Sequence, residues 1–202
     1  MIRVALLDDH PAVLAGLHRL VKGDPNLSLI AAVEREEALW RQLDGFRADV
    51  VVTDYDLARG NGLVLCQRLK ERPQALAVVI YSAYAGPALA LASRIAGADA
   101  VVDKGAPVEE LLATIRTVND RPIDMPEIPD ELRQAAIARL HDDDVAVAAM
   151  LLAGTSHQGI AEALRIDRRD VRRRARRIVT RVSPNGSPRV DADRHRSARH
   201  VA

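Results

Sequence analysis

The chain has 202 residues, 48% of them hydrophobic and 28% charged, with a formal net charge of +1. That is the balance of a soluble globular protein with room for one large domain or two small ones. A single cysteine, Cys66, excludes an intrachain disulfide framework and any cysteine-rich metal site. Aromatic residues make up 2%, which leaves the cores to Val, Leu, Ile and Ala.

The charge is unevenly divided. Residues 1–130 carry 14 basic and 19 acidic side chains, a net −5, and residues 131–202 carry 15 and 9, a net +6. An acidic front and a basic back point to two modules, the second facing a polyanion.

Ile2 to Leu7 reads as a buried strand, followed by Asp8-Asp9-His10. Pro11 suits the first turn of a helix, and Val13, Leu14, Leu17, Leu20 and Val21 recur at helical spacing. Leu27 to Val33 is a second strand and Arg35 to Leu43 a second helix. Val50-Val51-Val52-Thr53-Asp54 is a third strand, buried on both faces and ending in a carboxylate. Turn residues Leu57 to Gly62 lead into a helix over 62–70.

Ala77 to Tyr81 is a fourth strand ending at Ser82, and Pro87 to Ala96 a helix stopped by Gly97. Ala100 to Val102 is a fifth strand ending at Asp103-Lys104, and Pro107 to Val118 a fifth helix. Five strands alternating with five helices predict an α/β module, a doubly wound five-stranded parallel sheet. Right-handed crossovers then bring every strand's carboxyl end to one edge.

Prolines 122, 126 and 129 mark a linker, so the domains are expected at 1–120, 121–130 (linker) and 131–182. The third of these is a small all-α unit of helices at 131–140, 142–153, 157–164 and 168–182. From Ser183 to the end the composition is that of a disordered tail.

The N-terminus is no signal peptide, because its first apolar run ends in two aspartates. The uncharged stretch 74–93 is interrupted by Ser82, Tyr84 and Gly86-Pro87, which fits strand, loop and helix better than a membrane span. A cytoplasmic protein without membrane contact is expected.

Asp8, Asp9, Asp54, Ser82 and Lys104 all fall at strand ends on one edge of the predicted sheet. Three carboxylates converging in a cleft repel one another unless a cation intervenes. A hard dication such as Mg2+ takes oxygen ligands: here Asp9, Asp54 and the main-chain carbonyl of Asp56, with Asp8 acting through water. A carboxylate so held can attack a phosphoryl group and become an acyl phosphate. Lys104 then supplies an ammonium to the transferred oxygens, and Ser82 a hydroxyl.

The run Asp8-Asp9-His10-Pro11, Asp54, Asn61-Gly62-Leu63, Ser82, and Gly97-Ala98-Asp99 with Lys104 resembles the receiver domain of two-component response regulators. The resemblance implies that Asp54 accepts a phosphoryl group from a cognate sensor histidine kinase. It also implies that Asp8 and Asp9 hold magnesium, while Ser82 and Lys104 sense the phosphate. Two positions depart from that pattern: Leu57-Ala58 stand where Met-Pro is usual, and Val101 where the last strand usually has an aromatic. Tyr84 is a candidate substitute for that aromatic, or a shield for the acyl phosphate.

In the C-terminal part, Ser156 and Asp167 are expected helix caps. Val171, Ala175, Ile178 and Val182 form one narrow apolar seam on the last helix. Arg168, Arg169, Arg172, Arg173, Arg174, Arg176 and Arg177 occupy the rest, and arginine suits phosphate forks and guanine edges. A short helix, a glycine turn and a basic helix make a DNA-binding helix-turn-helix. Residues 151–164 with Val171-Arg172 resemble the LuxR-type helix-turn-helix of the NarL/FixJ group, from which Asp170 and the Asp142-Asp143-Asp144 run depart.

The expectation is a non-enzymatic response regulator that binds double-stranded DNA sequence-specifically, as a homodimer when active. Two alternatives stay open: a phosphorylation-independent receiver-type regulator, and an aspartyl-phosphate phosphohydrolase built on Asp54 and Asp56.

Overall fold

The computed structural model describes residues 1–58, 60–74, 76–120, 123, 125 and 127–184. Residues 121, 122, 124 and 126 of the expected linker, and the tail from residue 185, lie outside these described residues.

Five parallel strands, β1 (Ile2–Leu7), β2 (Leu27–Val33), β3 (Val50–Asp54), β4 (Ala77–Ser82) and β5 (Ala100–Asp103), form one sheet in the order β2-β1-β3-β4-β5. The order reverses between β1 and β3, the switch point where such sheets open a crevice at their carboxyl edge. Period-two alternation divides the strands cleanly. Val4, Leu6, Val50, Val52 and Val79 face α1 (Pro11–Gly23) and α5 (Val108–Asp120), meeting Leu17, Val21, Leu111 and Ile115. Ala5, Leu7, Val51, Val78 and Ile80 face the opposite side, toward α2 (Glu36–Gly45), α3 (Gly62–Lys70) and α4 (Pro87–Ala96).

Element ends shift by a residue or two from expectation. Arg35 is the N-cap of α2 rather than its first residue. Asn119 and Asp120, beyond the expected helix end at Val118, continue α5.

The C-terminal helices are α6 (Asp130–Ile137), α7 (Asp142–Leu152), α8 (His157–Leu164) and α9 (Arg168–Val182). The chain turns between α7 and α8 at Gly154, whose φ of +77° is costly for any residue with a Cβ. The two expected caps form: Ser156 Oγ accepts from Gly159 N at 3.1 Å and Asp167 Oδ1 from Arg169 N at 2.6 Å.

These helices do not stand apart from the sheet domain. α9 packs on α3 and α4, and α7 and α6 also touch α4. Leu89 to Ser93 are five consecutive buried residues on α4. At 100° per residue they cannot all face the sheet, so the outer side of α4 is covered by the C-terminal helices. Leu63, Leu89 and Ile95 accordingly share one apolar cluster with Val147, Ile160, Ala175, Ile178 and Val179. Ile128, at the end of the linker, is buried in the same cluster. Ser183, grouped with the tail by composition, is buried as well and forms the C-cap of α9.

Candidate functional site

The carboxyl edge of the sheet gathers the acids. β1 delivers Asp8 and Asp9, β3 delivers Asp54, and β5 delivers Lys104 immediately after its last residue. Asp8 and Asp54 are 0% and 4% exposed. Lys104 Nζ bridges them, 2.7 Å from Asp8 Oδ2 and 3.1 Å from Asp54 Oδ1.

One neighbour was not singled out from sequence. His10 Nδ1 lies 3.0 Å from Asp9 Oδ1 and 3.8 Å from Asp54 Oδ2, on the solvent side of the cluster. Its place in the Asp-Asp-His run was the available signal.

Burial pushes the Asp54 carboxyl above its ordinary range, helped by the Asp8 charge and opposed by Lys104 and by the Asp56 backbone N–H. For Lys104, burial works against the charge. Hydrogen bonds to Asp8 and Asp54 outweigh it, and the ammonium is held above its usual pKa.

The donor set fits a hard dication. Ligand oxygens of Asp8, Asp9 and Asp54, with the His10 ring, lie within 4.8 Å of one another. Asp9 Oδ2 accepts from Ala58 N at 2.7 Å, while Asp9 Oδ1 is buried and takes no hydrogen bond among the described residues. A buried carboxylate oxygen whose near contact is the His10 ring nitrogen, at 3.0 Å, is one that a cation would stabilise further.

Ser82 lies on the same edge, one residue beyond the Tyr81 that pairs with Asp54 in the sheet register. Its Oγ accepts from Tyr84 N at 3.1 Å, and its carbonyl accepts from Lys104 N at 2.8 Å. The Tyr84 side chain stands in solvent, whereas Val101 is half-buried against the apolar cluster. Tyr81 is the aromatic near the lysine, with Lys104 Nζ 5.6 Å from its ring centroid.

The loop after Asp54 is tightly drawn back onto it. Gly62 N donates to Tyr55 O at 2.9 Å, and a Cβ at Gly62 would sit 2.2 Å from Asp54 O. Asn61 Oδ1 caps α3 by accepting from Leu63 N at 2.8 Å.

The seven candidate arginines of α9 sort into three groups. Arg168 and Arg169 are exposed and carry no ion pair among the described residues. Arg173, Arg174 and Arg177 are held within the helical domain. Arg173 pairs with Asp170; Arg174 reaches Asp170 and the Asp143 carbonyl; Arg177 binds Asp144. Arg172 and Arg176 face the sheet domain, where Glu71 at the end of α3 accepts from Arg176 at 3.2 Å and lies 3.8 Å from Arg172. Near them, His157 is held below the usual imidazole pKa by burial, with Arg172 and Arg168 acting the same way against Glu71.

A doubly wound domain whose sheet edge holds a buried aspartate beside a lysine and two further carboxylates has the arrangement of a receiver domain. The response regulator receiver domain matches residues 4–116, and the chain belongs to that family. It is 32% identical over 118 residues to the transcriptional activator DevR/DosR of Mycobacterium tuberculosis, 58% of this chain and 54% of that protein. It is 31% identical over 118 residues to the regulatory protein UhpA of Salmonella typhimurium, 58% and 59% of the two chains. The chain thus spans only a little over half the length of these relatives. The response regulator UvrY of Escherichia coli aligns over 99% of this chain and 95% of its own, at 21% identity. Among solved structures, RcsB of Salmonella enterica bound to a promoter superposes at TM-score 0.58 over 90% of this chain and 91% of RcsB, at 20% identity.

No helix among the described residues is long and apolar enough to cross a membrane.

Proposed function

We propose that this chain is a phosphorylation-gated transcription regulator of the cytoplasm, without enzymatic turnover of its own. Asp54 accepts a phosphoryl group from a sensor histidine kinase. The C-terminal helix-turn-helix binds double-stranded DNA sequence-specifically, as a homodimer in the active form. The observation that carries this reading is the bridging of Asp8 and Asp54 by Lys104 at the sheet edge, in a chain whose basic helix docks on the same domain.

Asp8, Asp9, Asp54 and the Asp56 carbonyl would hold Mg2+, which when bound supplies Lewis-acid neutralisation of phosphoryl oxygens. Asp54 is the nucleophile, its attacking oxygen kept desolvated by burial. Lys104, already a partner of Asp54, turns its ammonium to the oxygens of the incoming group. The Ser82 hydroxyl completes their hydrogen bonding.

In the closed form Glu71 occupies Arg172 and Arg176, two of the side chains proposed to meet DNA phosphates. Phosphorylation biases the equilibrium toward a form in which α9 is released. Arg168 and Arg169, exposed and without an ion pair among the described residues, make the first phosphate contacts.

The test is labelling of the full chain from a small acyl-phosphate donor with magnesium, followed by titration with duplex DNA at fixed salt. Stoichiometric labelling, lost in Asp54→Ala, with tighter DNA binding after phosphorylation is expected. Labelling of Asp54→Ala at the wild-type rate overturns the phosphoacceptor assignment. Continuous release of phosphate from p-nitrophenyl phosphate would favour a phosphohydrolase instead.

A further inference from the structure

Two hydroxyls 128 residues apart meet beside the phosphoacceptor. Tyr55 Oη and Ser183 Oγ lie 2.8 Å apart, both buried, at 3% and 2% exposure. Tyr55 directly follows Asp54, and Ser183 is the C-cap of α9, its own N–H donating to Val179 O at 2.9 Å. Asn61 Nδ2 also approaches Ser183 Oγ, at 3.5 Å, while its Oδ1 caps α3. The end of the basic helix is therefore fastened to both ends of the loop that closes over Asp54.

That loop has little slack. The Tyr55 carbonyl is held by Gly62 N, Gly62 packs against the Asp54 carbonyl with no room for a Cβ, and the Tyr55 amide donates to Tyr81 O at 3.3 Å. The same loop borders the acid cluster, where Ala58 N donates to Asp9 Oδ2 at 2.7 Å, so a shift of the loop on modification of Asp54 would displace the Tyr55 ring and the Asn61 amide from Ser183. The Tyr55 ring belongs to the same apolar cluster as Val179 and Val182. A shift of the ring therefore disturbs the last turn of α9 at the same time.

We propose that Tyr55 and Ser183 form a latch that reports the state of Asp54 directly to the C-terminal end of α9. The proposal rests on the reading of Asp54 as phosphoacceptor. Glu71 holds the middle of the helix by charge, and the latch holds its end by a buried hydrogen bond, which salt does not screen. Loss of the hydroxyl pair frees the last turn while the acidic pocket stays intact.

The test is hydrogen exchange of the full chain, comparing residues 176–183 with and without beryllofluoride, while adduct formation is followed separately by fluorine resonance. In the wild-type protein, beryllofluoride is expected to speed exchange in 176–183 by at least about tenfold, the scale of a lost cooperative contact. Tyr55→Phe keeps the ring, so folding is retained. It should bind beryllofluoride normally, exchange fast without it, and respond less than about twofold. Ser183→Ala should match it, and Ser183→Thr should restore the wild-type response.

If Tyr55→Phe exchanges as slowly as wild type and responds equally, the latch is refuted while the phosphoacceptor reading stands. The same holds if wild-type protein forms the adduct without any change in 176–183. Absence of an adduct on wild-type protein would remove the phosphoacceptor reading and the latch together.

Discussion

Arg177 grips Asp144 with two hydrogen bonds, Nε to Oδ2 at 2.7 Å and Nη2 to Oδ1 at 2.5 Å, joining α9 to the first turn of α7. Asp144 is fully buried, and the guanidinium holds its carboxyl below the usual carboxylate range. An arginine counted from sequence among the DNA contacts is thus in a structural ion pair.

Arg177→Ala should therefore act mainly on stability. It leaves a buried carboxylate unpaired, at a cost on the order of 2 kcal/mol once the partial exposure of Arg177 is allowed for. For a chain of this size that lowers Tm by roughly 4–8 °C. Arg169→Ala, at an exposed position, should leave Tm within about a degree, since surface substitutions rarely matter. It should instead reduce the salt dependence of DNA binding by about one phosphate contact. Calorimetry and DNA titrations at several salt concentrations separate the two effects.

The lowered Asp144 carboxyl and the raised Asp54 carboxyl have opposite consequences on a pH scale. Asp144 contributes stability that is present above its ordinary value of 3.8 and lost as pH falls through its lower folded value. Asp54 favours the fold in its protonated form, so its contribution is present below 3.8 and lost as pH rises through the raised folded value. Asp54→Asn removes that titration. It should match wild-type Tm below about pH 3.8 and exceed it by a few degrees at neutral pH. Magnesium should narrow the gap by stabilising the wild type alone. Thermal melts at several pH values, with and without magnesium, check both statements.

How much of this could be read from sequence depends on whether the signal was local. Apolar strand runs end at Asp8-Asp9, Asp54, Ser82 and Asp103-Lys104, so the polar strand ends were legible directly from the pattern. The seam Val171, Ala175, Ile178 and Val182 was legible as helical spacing, and all four residues are buried. The docking of α9 on α3 and α4 was not, because two apolar faces from different domains leave no shared periodicity. One trace existed: Leu89 to Ile95 is apolar around most of the helix, the mark of an element covered on more than one side. The partners of Arg172, Arg176, Tyr55 and Ser183 depend on that docking, which made them unreadable until the domains were placed together.

Glu71 supplies a charge contact between the domains, so Glu71→Gln should weaken the closed form without touching the acidic pocket. Exposed ion pairs are each worth roughly 0.2–1 kcal/mol, and two are at stake. Duplex binding by unphosphorylated protein should tighten by about two- to thirtyfold, with little change after phosphorylation. Fluorescence anisotropy at low and moderate salt measures this. The wild-type protein should approach the variant as salt screens the pairs.

Gly62→Ala tests the closeness of the loop to Asp54. A Cβ there would lie 2.2 Å from Asp54 O and 3.1 Å from Tyr55 Cα, both backbone atoms with no flexible end to swing aside. Either the loop moves away from β3 or α3 is pushed outward. Overpacking of this kind costs typically about 1–3 kcal/mol. The displaced loop should also pull Ala58 N from Asp9 Oδ2, which it meets at 2.7 Å, and loosen one wall of the acid cluster. Gly62→Ala should therefore lose labelling from an acyl-phosphate donor by tenfold or more, on the order expected for misplaced catalytic groups. Gly16→Ala, on α1 with nothing within 4 Å of the added methyl, serves as the control. Equal labelling of the two variants would mean that the loop yields freely, and that Asp54 does not depend on its tight return.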